Sequence, residues 1–268
     1  MNIAFQGCKG AYSEQAIARY YPTAMVIAKT TFEDILQAVA DSSADYAMLP
    51  VENTLGGTVL PACQALIASG LSPVAEHILP IHHMLMAPAS IGTIKTALSH
   101  PQALAQCQDH LKQLNIKAEA FFDTAGAAEH IAKYRPANTA AIASALAAQH
   151  YQLEILQSNF EDKPFNQTRF FLIGRTAEPT QSNTNYKTSL TFTLPNQPNA
   201  LASVLSLLGT HQINLSKIES HPTREKAWEY WFFADMMGHA QQQPLATALA
   251  EIRPLLLSLN VIGSYRIE

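Results

Sequence analysis

The sequence predicts an α/β protein with a two-lobed N-terminal region and a smaller βαββαβ unit at its C-terminal end. Three observations carry this reading. Short apolar runs alternate with helix-length segments through residue 176, a polar aperiodic stretch covers 177–186, and a strand-helix-strand-strand-helix-strand order follows over 187–268. A length of 268 residues accommodates two folded units on a prior of about 150 residues per domain.

Apolar runs at 3–6, 25–28 and 46–51 read as strands, and the segments at 13–20, 32–40 and 59–69 as helices. This is the βαβ repeat of a largely parallel sheet covered by helices. Thr31 followed three residues later by Asp34 marks a capped helix start. After Val74, strands are predicted over 76–81, 84–87, 96–98, 117–121 and 139–142 with helices between, and a late strand over 169–173. Pro101 occupies a first helical position, and Asp123 and Thr124 precede a helix over 125–133. Two α/β lobes, with the chain crossing between them more than once, suit this order.

The stretch from Arg175 to Lys187 has linker chemistry, polar and without periodicity. Beyond it, strands at 188–194, 214–220, 228–236 and 261–267 and helices at 200–209 and 245–256 follow the ferredoxin-like plan. A unit of that size leaves an exposed sheet edge, which favours pairing with a second copy.

Nearly half of the residues, 48%, are apolar and only 14% are charged, the composition of a packed globular chain. A net charge of −4 without a basic cluster argues against nucleic acid and anionic membranes as partners. Cys8, Cys63 and Cys107 are odd in number and widely spaced, unlike a zinc site or a disulfide scaffold, so a reducing cytosol is expected. The start of the chain has no signal-like region, and no apolar run approaches the ~18 residues that span a bilayer. A protein neither exported nor membrane-embedded is expected.

Five segments hold the chemistry. Gly7-Cys8-Lys9-Gly10-Ala11-Tyr12-Ser13 leaves the first strand and enters the first helix, where unpaired backbone amides attract anions. A plain turn with Ser13 as helix cap stands equal to that reading. Glu52-Asn53-Thr54-Leu55-Gly56-Gly57-Thr58-Val59 places Asn53 at the C-terminal end of a strand, where ligands bind in open α/β sheets; an Asx-turn is the structural alternative. Ser99 and Gln106, seven apart around His100-Pro101-Gln102, would share a helical face, with His100 read as a cap or surface residue. Asp123-Thr124-Ala125-Gly126 forms another helix entry, and Asn166-Gln167-Thr168-Arg169-Phe170 leads into an apolar strand. No triad, zinc site or carboxylate pair stands out, so the candidate site consists of hydroxyls, amides and helix N-termini suited to a small polyanion without metal or cofactor.

Together these segments resemble the prephenate dehydratase family, in order and over the whole chain. Residues 7–13 are similar to that family's opening Gly-x-x-Gly-x-Tyr-Ser, and Glu52-Asn53-Thr54-x-Gly-Gly-Thr-Val to its Glu-Asn-Ser-x-x-Gly-x-Val. Ser99-His100-Pro101-Gln102-Ala103 through Gln106-Cys107 resembles its Ser-His-Pro-Gln-Ala-Leu-x-Gln-Cys segment, and Thr168-Arg169-Phe170 its Thr-Arg-Phe signature. The C-terminal unit resembles the family's ACT domain through Asn196-Gln197-Pro198-Asn199-Ala200-Leu201 and Ile213-Asn214-Leu215-Ser216-Lys217-Ile218-Glu219-Ser220-His221-Pro222. Asn199 stands where a glycine is expected and His221 where an arginine is expected, so ligand access there departs from the family pattern.

The resemblance implies two lobes like those of type II periplasmic binding proteins, with an active site in the cleft between them. It implies Thr168 as the catalytic residue, with Asn53, Ser99 and Gln106 on the substrate, and Ser13, Thr124, Arg169 and Phe170 beside them. Asn199, Ala200, Leu201, Glu219 and Ser220 are the implied allosteric positions. The division implied is a catalytic region over 1–176, a linker over 177–186 and an ACT regulatory domain over 187–268, without the chorismate mutase helices that often precede it. Conversion of prephenate to phenylpyruvate is the expected activity, with phenylalanine as regulator, a homodimer formed through the ACT domain, and tetramers left open. Two alternatives stay open: an arogenate dehydratase, and a non-catalytic sensor of small anions.

Overall fold

The computed structural model describes residues 1–88, 94–176, 185–223 and 228–267. The expected linker lies outside them over 177–184. The chain packs as two compact units, residues 1–69 with 77–172, and residues 70–76 with 173–268.

The first unit begins with β1 (Asn2–Gln6), α1 (Tyr12–Tyr20), β2 (Met25–Lys29), α2 (Phe32–Ala40), β3 (Tyr46–Asn53), the short β4 (Gly57–Thr58) and α3 (Leu60–Ser69). β1 pairs in parallel with both β2 and β3, as the βαβ reading requires. Its central residues Ile3, Ala4 and Phe5 are buried, with helices on the sheet. At α2 the Thr31 hydroxyl accepts from Asp34 N at 3.0 Å and Asp34 accepts from Thr31 N at 3.2 Å, a reciprocal capping box. Ser13 differs from its expectation as a cap: α1 starts at Tyr12 after Ala11, so Ser13 lies inside the helix.

β5 (Ser72–Pro80) passes from the second unit into the first, and β6 (Met84–Ala87) opens the second lobe. There follow β7 (Thr96–Ser99), α4 (Pro101–Gln106), α5 (Gln108–Gln113), β8 (Lys117–Ala120), α6 (Thr124–Tyr134), β9 (Thr139–Ala143), α7 (Ala145–Tyr151) and β10 (Glu154–Gln157). Their sheet runs β10-β6-β9-β7-β8. β7 is parallel to β8 and β9, while β6 and β10 run antiparallel to their neighbours. The period of two divides β6 between two cores. Met84 and Met86 pack with Ile131 of α6 and Ala147 of α7, and Leu85 and Ala87 pack with Leu104, Leu111 and Phe160. Burying each of the larger side chains among these, the methionines, leucines, Ile131 and Phe160, stabilises the lobe by about 1.5–3 kcal/mol. β11 (Gln167–Gly174) then returns to lie beside β3 in the first lobe's sheet.

The two lobes touch through the Gly10 turn. Ser144 caps α7 and donates to Gly10 O at 2.6 Å, while Glu14 accepts from Gly10 N at 2.6 Å and pairs with His150 at 3.1 Å. Gly10 has φ +88°, and a Cβ there would lie 2.5 Å from Ala147 Cα. Only glycine meets both conditions.

The second unit is built from β12 (Tyr186–Thr193), α8 (Ala200–Thr210), β13 (Leu215–Pro222), β14 (Tyr230–Met237), α9 (Leu245–Ile252) and β15 (Ser258–Arg266), the expected βαββαβ order. Its strands lie antiparallel as β13-β14-β12-β15, so β13 is an edge. Leu190, Phe192, Ala234 and Met236 form a core with Val204 and Leu208 of α8 and with Ala248 and Ile252 of α9. Residues 70–76 join this unit through Ser72 to Ile262 O at 3.0 Å and Lys187 to Glu76 at 2.8 Å. Among the described residues no helix is long and apolar enough to cross a membrane.

Candidate active site

The first unit contains a cleft of about 390 Å³ between the two lobes, within the range typical of small-molecule sites. Four helix beginnings reach its wall: Tyr12 and Ser13 of α1, Leu60 and Pro61 of α3, Gln102 and Ala103 of α4, and Thr124 of α6. The helix N-termini give the wall a positive character, although Gln102 N is already held by His100 and Pro61 has no N–H. No lysine or arginine lies among the described lining residues, and the one carboxylate, Asp123, caps α6 by accepting from Gly126 N. Cys8 Sγ lies 3.9 Å from Asp123, and burial followed by that charge pushes its thiol up to about 11, which disfavours the thiolate.

Thr168, the second residue of β11, lines the cleft, and its hydroxyl oxygen accepts from Asn53 Nδ2 at 3.0 Å. Asn53 closes β3 and is 9% exposed. Its Oδ1 accepts from Leu55 N at 3.0 Å and Gly56 N at 2.8 Å, so the Asx-turn and the placement of the amide are one feature. The same Nδ2 reaches Asn166 Oδ1 at 2.8 Å and Gln167 O at 3.0 Å. Gln106, the last residue of α4, accepts from Asn166 Nδ2 at 2.9 Å and faces Asn53 Oδ1 at 3.5 Å. Gly56 admits Gln102: a Cβ there would sit 1.7 Å from Gln102 Nε2.

Thr168, Asn53, Gln106, Ser13, Thr124 and Phe170 thus share one cavity. Two expected residues do not join them. Ser99 is fully buried at the end of β7 and donates to Ile142 O at 2.6 Å. α4 begins at Pro101, after the strand, so the seven-residue spacing does not place Ser99 and Gln106 on one helical face. Arg169 follows Thr168 on β11 and therefore points to the other side of the sheet. There it pairs with Glu52 at 3.3 Å and lies 4.8 Å from the Phe171 ring centroid.

Two wall residues escape a reading of the sequence alone. His83 sits between β5 and β6, with Nε2 2.8 Å from Gln106 Oε1 and Nδ1 2.6 Å from the Tyr12 hydroxyl. Its partners lie 23 and 71 positions away in the chain. Tyr12 is visible only as part of the glycine turn. His100 accepts from Gln102 N at 3.2 Å, the expected cap, while also reaching the cavity wall.

In the second unit, Ala200 and Leu201 line a separate hollow of about 390 Å³ together with Asn196, Trp228, Tyr230 and Phe232. Asn199 caps α8 with φ 64° and ψ 1°, the left-handed region in which asparagine is among the few tolerated non-glycine residues. The departure from glycine is therefore accommodated by the backbone. Glu219 lies on β13 within 3.5 Å of Lys217 and 3.3 Å of His221, whose ring packs against Trp231 at 4.7 Å. Ser220 is exposed on the opposite side of that strand.

The family model of prephenate dehydratase matches residues 3–178, and that of the ACT domain matches residues 188–254. A chloroplastic arogenate dehydratase/prephenate dehydratase of Arabidopsis thaliana is 38% identical over 286 residues, spanning 100% of this chain and 69% of the relative. A solved structure described as GqqA, a novel type of quorum quenching acylase, shares 34% identity with a TM-score of 0.91, over 100% of this chain and 98% of that one. The prephenate dehydratase of Arthrobacter aurescens in complex with L-Phe shares 30% identity with a TM-score of 0.88, over 99% and 89% of the two chains. The cleft is built from segments inside the first of these matched regions, and the chain belongs to the prephenate dehydratase family of dehydrating lyases, its catalytic region followed by an ACT domain.

Proposed function

We propose that the chain converts prephenate to phenylpyruvate and that Thr168 assists departure of the ring hydroxyl. The observation that carries the reading is the Asn53 to Thr168 hydrogen bond inside a cleft surrounded by helix N-termini. Prephenate brings two carboxylates, which suit helix N-termini and side-chain amides in a wall without lysine or arginine among its described residues. The ring carboxylate leaves as carbon dioxide, its electron pair enters the ring, and the hydroxyl leaves with one proton as water. Thr168 stabilises the departing oxygen by donating to it, while Asn53, Gln106, Ser13 and Thr124 orient the substrate and Phe170 walls the ring. Such assistance to a leaving group contributes about 10²- to 10⁴-fold.

The division into a catalytic region at 1–176, a linker at 177–186 and a regulatory domain at 187–268 belongs to the same proposal, corrected by one residue because Tyr186 already pairs with Arg266 in β12. Phenylalanine is the proposed regulator. The L-Phe in the Arthrobacter aurescens structure and the aromatic-lined hollow beside Ala200 and Leu201 support it. A homodimer through the ACT domain is supported by the edge position of β13 and by Ile218, 39% exposed on it. A cytosolic location accords with the free cysteines.

Phenylpyruvate release from prephenate, with and without phenylalanine, tests activity and regulation together. Phenylalanine formation from arogenate, run in parallel, reports the other substrate form. Cleavage of an acyl amide by the same preparation, without phenylpyruvate formation, would favour the chemistry named for the acylase structure. That chemistry calls for a hydroxyl that gives its proton to a base, whereas among the described residues the hydrogen-bond partner of the Thr168 hydroxyl is the Asn53 amide.

A further inference from the structure

We propose that His83, held as its Nε2–H tautomer between Gln106 Oε1 and the Tyr12 hydroxyl, is a positioning residue that turns the Gln106 amide nitrogen toward the substrate. Hydrogen-bond logic fixes the protons from Asn53 through to His83 Nε2. Leu55 N and Gly56 N can only donate, so the Asn53 atom they meet is its oxygen. The Asn53 nitrogen then faces Asn166 Oδ1, which leaves Asn166 Nδ2 to donate to Gln106 Oε1 at 2.9 Å. A carbonyl oxygen accepts only, so its second partner, His83 Nε2 at 2.8 Å, holds the ring proton. The lone pair on Nδ1 is left to receive the Tyr12 hydroxyl at 2.6 Å, the nearer of the two acceptors that hydroxyl meets, His82 O lying at 3.2 Å.

With Oε1 occupied twice, Gln106 directs its nitrogen toward Asn53 Oδ1 and the cavity. The direction matters because amide hydrogens attract a carboxylate, and a flipped amide would oppose one oxygen with another. The electrostatic setting keeps the pattern in place. Burial lowers the proton affinity of His83 against the opposing pull of Gln106 and Glu161, and burial raises that of the Tyr12 hydroxyl. The ring is neutral near pH 7 and the phenol is a donor.

The kinetic part of this inference rests on the dehydratase reading, whereas the tautomer itself does not. Side-chain ¹⁵N NMR of the full chain at neutral pH is expected to show His83 as the Nε2–H tautomer in the wild type and a mixture in Tyr12→Phe. His83→Leu, checked for folding by circular dichroism, is expected to raise KM for prephenate by roughly 10- to 100-fold with a smaller change in kcat, as for loss of one buried donor. His83→Gln, which keeps a donor, is expected to recover KM to within about 3-fold of wild type, a rescue that a packing role alone would not give. An Nδ1–H tautomer or an imidazolium in the wild type would overturn the inference, as would a folded His83→Leu with unchanged KM. If His83→Leu does not fold, the wild-type and Tyr12→Phe spectra decide. A wild type with the expected tautomer but no turnover of prephenate would count against the dehydratase reading and leave the tautomer assignment standing.

Discussion

Asn53 Nδ2, whose two hydrogens serve Asn166 Oδ1, Gln167 O and Thr168, lies 3.0 Å from the Thr168 hydroxyl oxygen, and the threonine's own hydrogen stays available to a substrate. A threonine is a weak acid, and an amide hydrogen on its oxygen polarises the remaining O–H bond toward donation.

Asn53→Asp keeps the acceptor for Leu55 N and Gly56 N but loses the donor to Thr168. We expect a folded enzyme with kcat lowered about 100-fold or more, read by phenylpyruvate formation. An unchanged kcat would detach the amide from catalysis.

Gly10→Ala places a methyl 2.5 Å from Ala147 Cα at a backbone φ of +88°. Because the obstacle is backbone and not a flexible side-chain end, urea unfolding should show a loss of about 1–3 kcal/mol. A loss below about 0.5 kcal/mol would mean that the Gly10 turn yields freely.

Asn199→Ala should destabilise the ACT domain by about 1 kcal/mol, whereas Asn199→Gly should be near neutral, because the position needs φ near +64°. Both should show in thermal unfolding. Phenylalanine inhibition should persist in Asn199→Gly.

His83 sets a sign for acid sensitivity. Its ordinary value is 6.5, and burial lowers it in the folded chain, beside Tyr12, Glu161 and His82. Below pH 6.5 the unfolded chain takes up a proton that the folded chain refuses. The stability contribution is therefore full above that pH and is lost as pH falls toward the folded value. Unfolding free energies measured from pH 7.5 to about 5 should fall less steeply in His83→Gln than in the wild type. Equal slopes would contradict a buried neutral imidazole.

Much of the architecture was legible because local signals and tertiary context agree. Thr31 with Asp34 caps α2, Pro101 opens α4, and the apolar run at 84–87 forms a strand that feeds two cores. β10 escaped because its four residues are half exposed at a sheet edge and include a glutamate and a glutamine. The site divided along a similar line. Motif matching reached Asn53, Gln106 and Thr168, yet it carried Arg169 along with its neighbour although a strand turns successive side chains to opposite faces. It also carried Ser99, whose hydroxyl is spent on Ile142 O. His83 gave no local signal and Tyr12 only that of the glycine turn, since their meeting depends on how distant segments fold together.

The most direct measurement is kcat for prephenate in Thr168→Ala and Thr168→Ser, each checked for native folding. Donation from this hydroxyl to the departing oxygen requires a fall of about 10²- to 10⁴-fold in the alanine variant and retention within about 10-fold in the serine variant. Turnover by folded Thr168→Ala within about 3-fold of the wild type would contradict it.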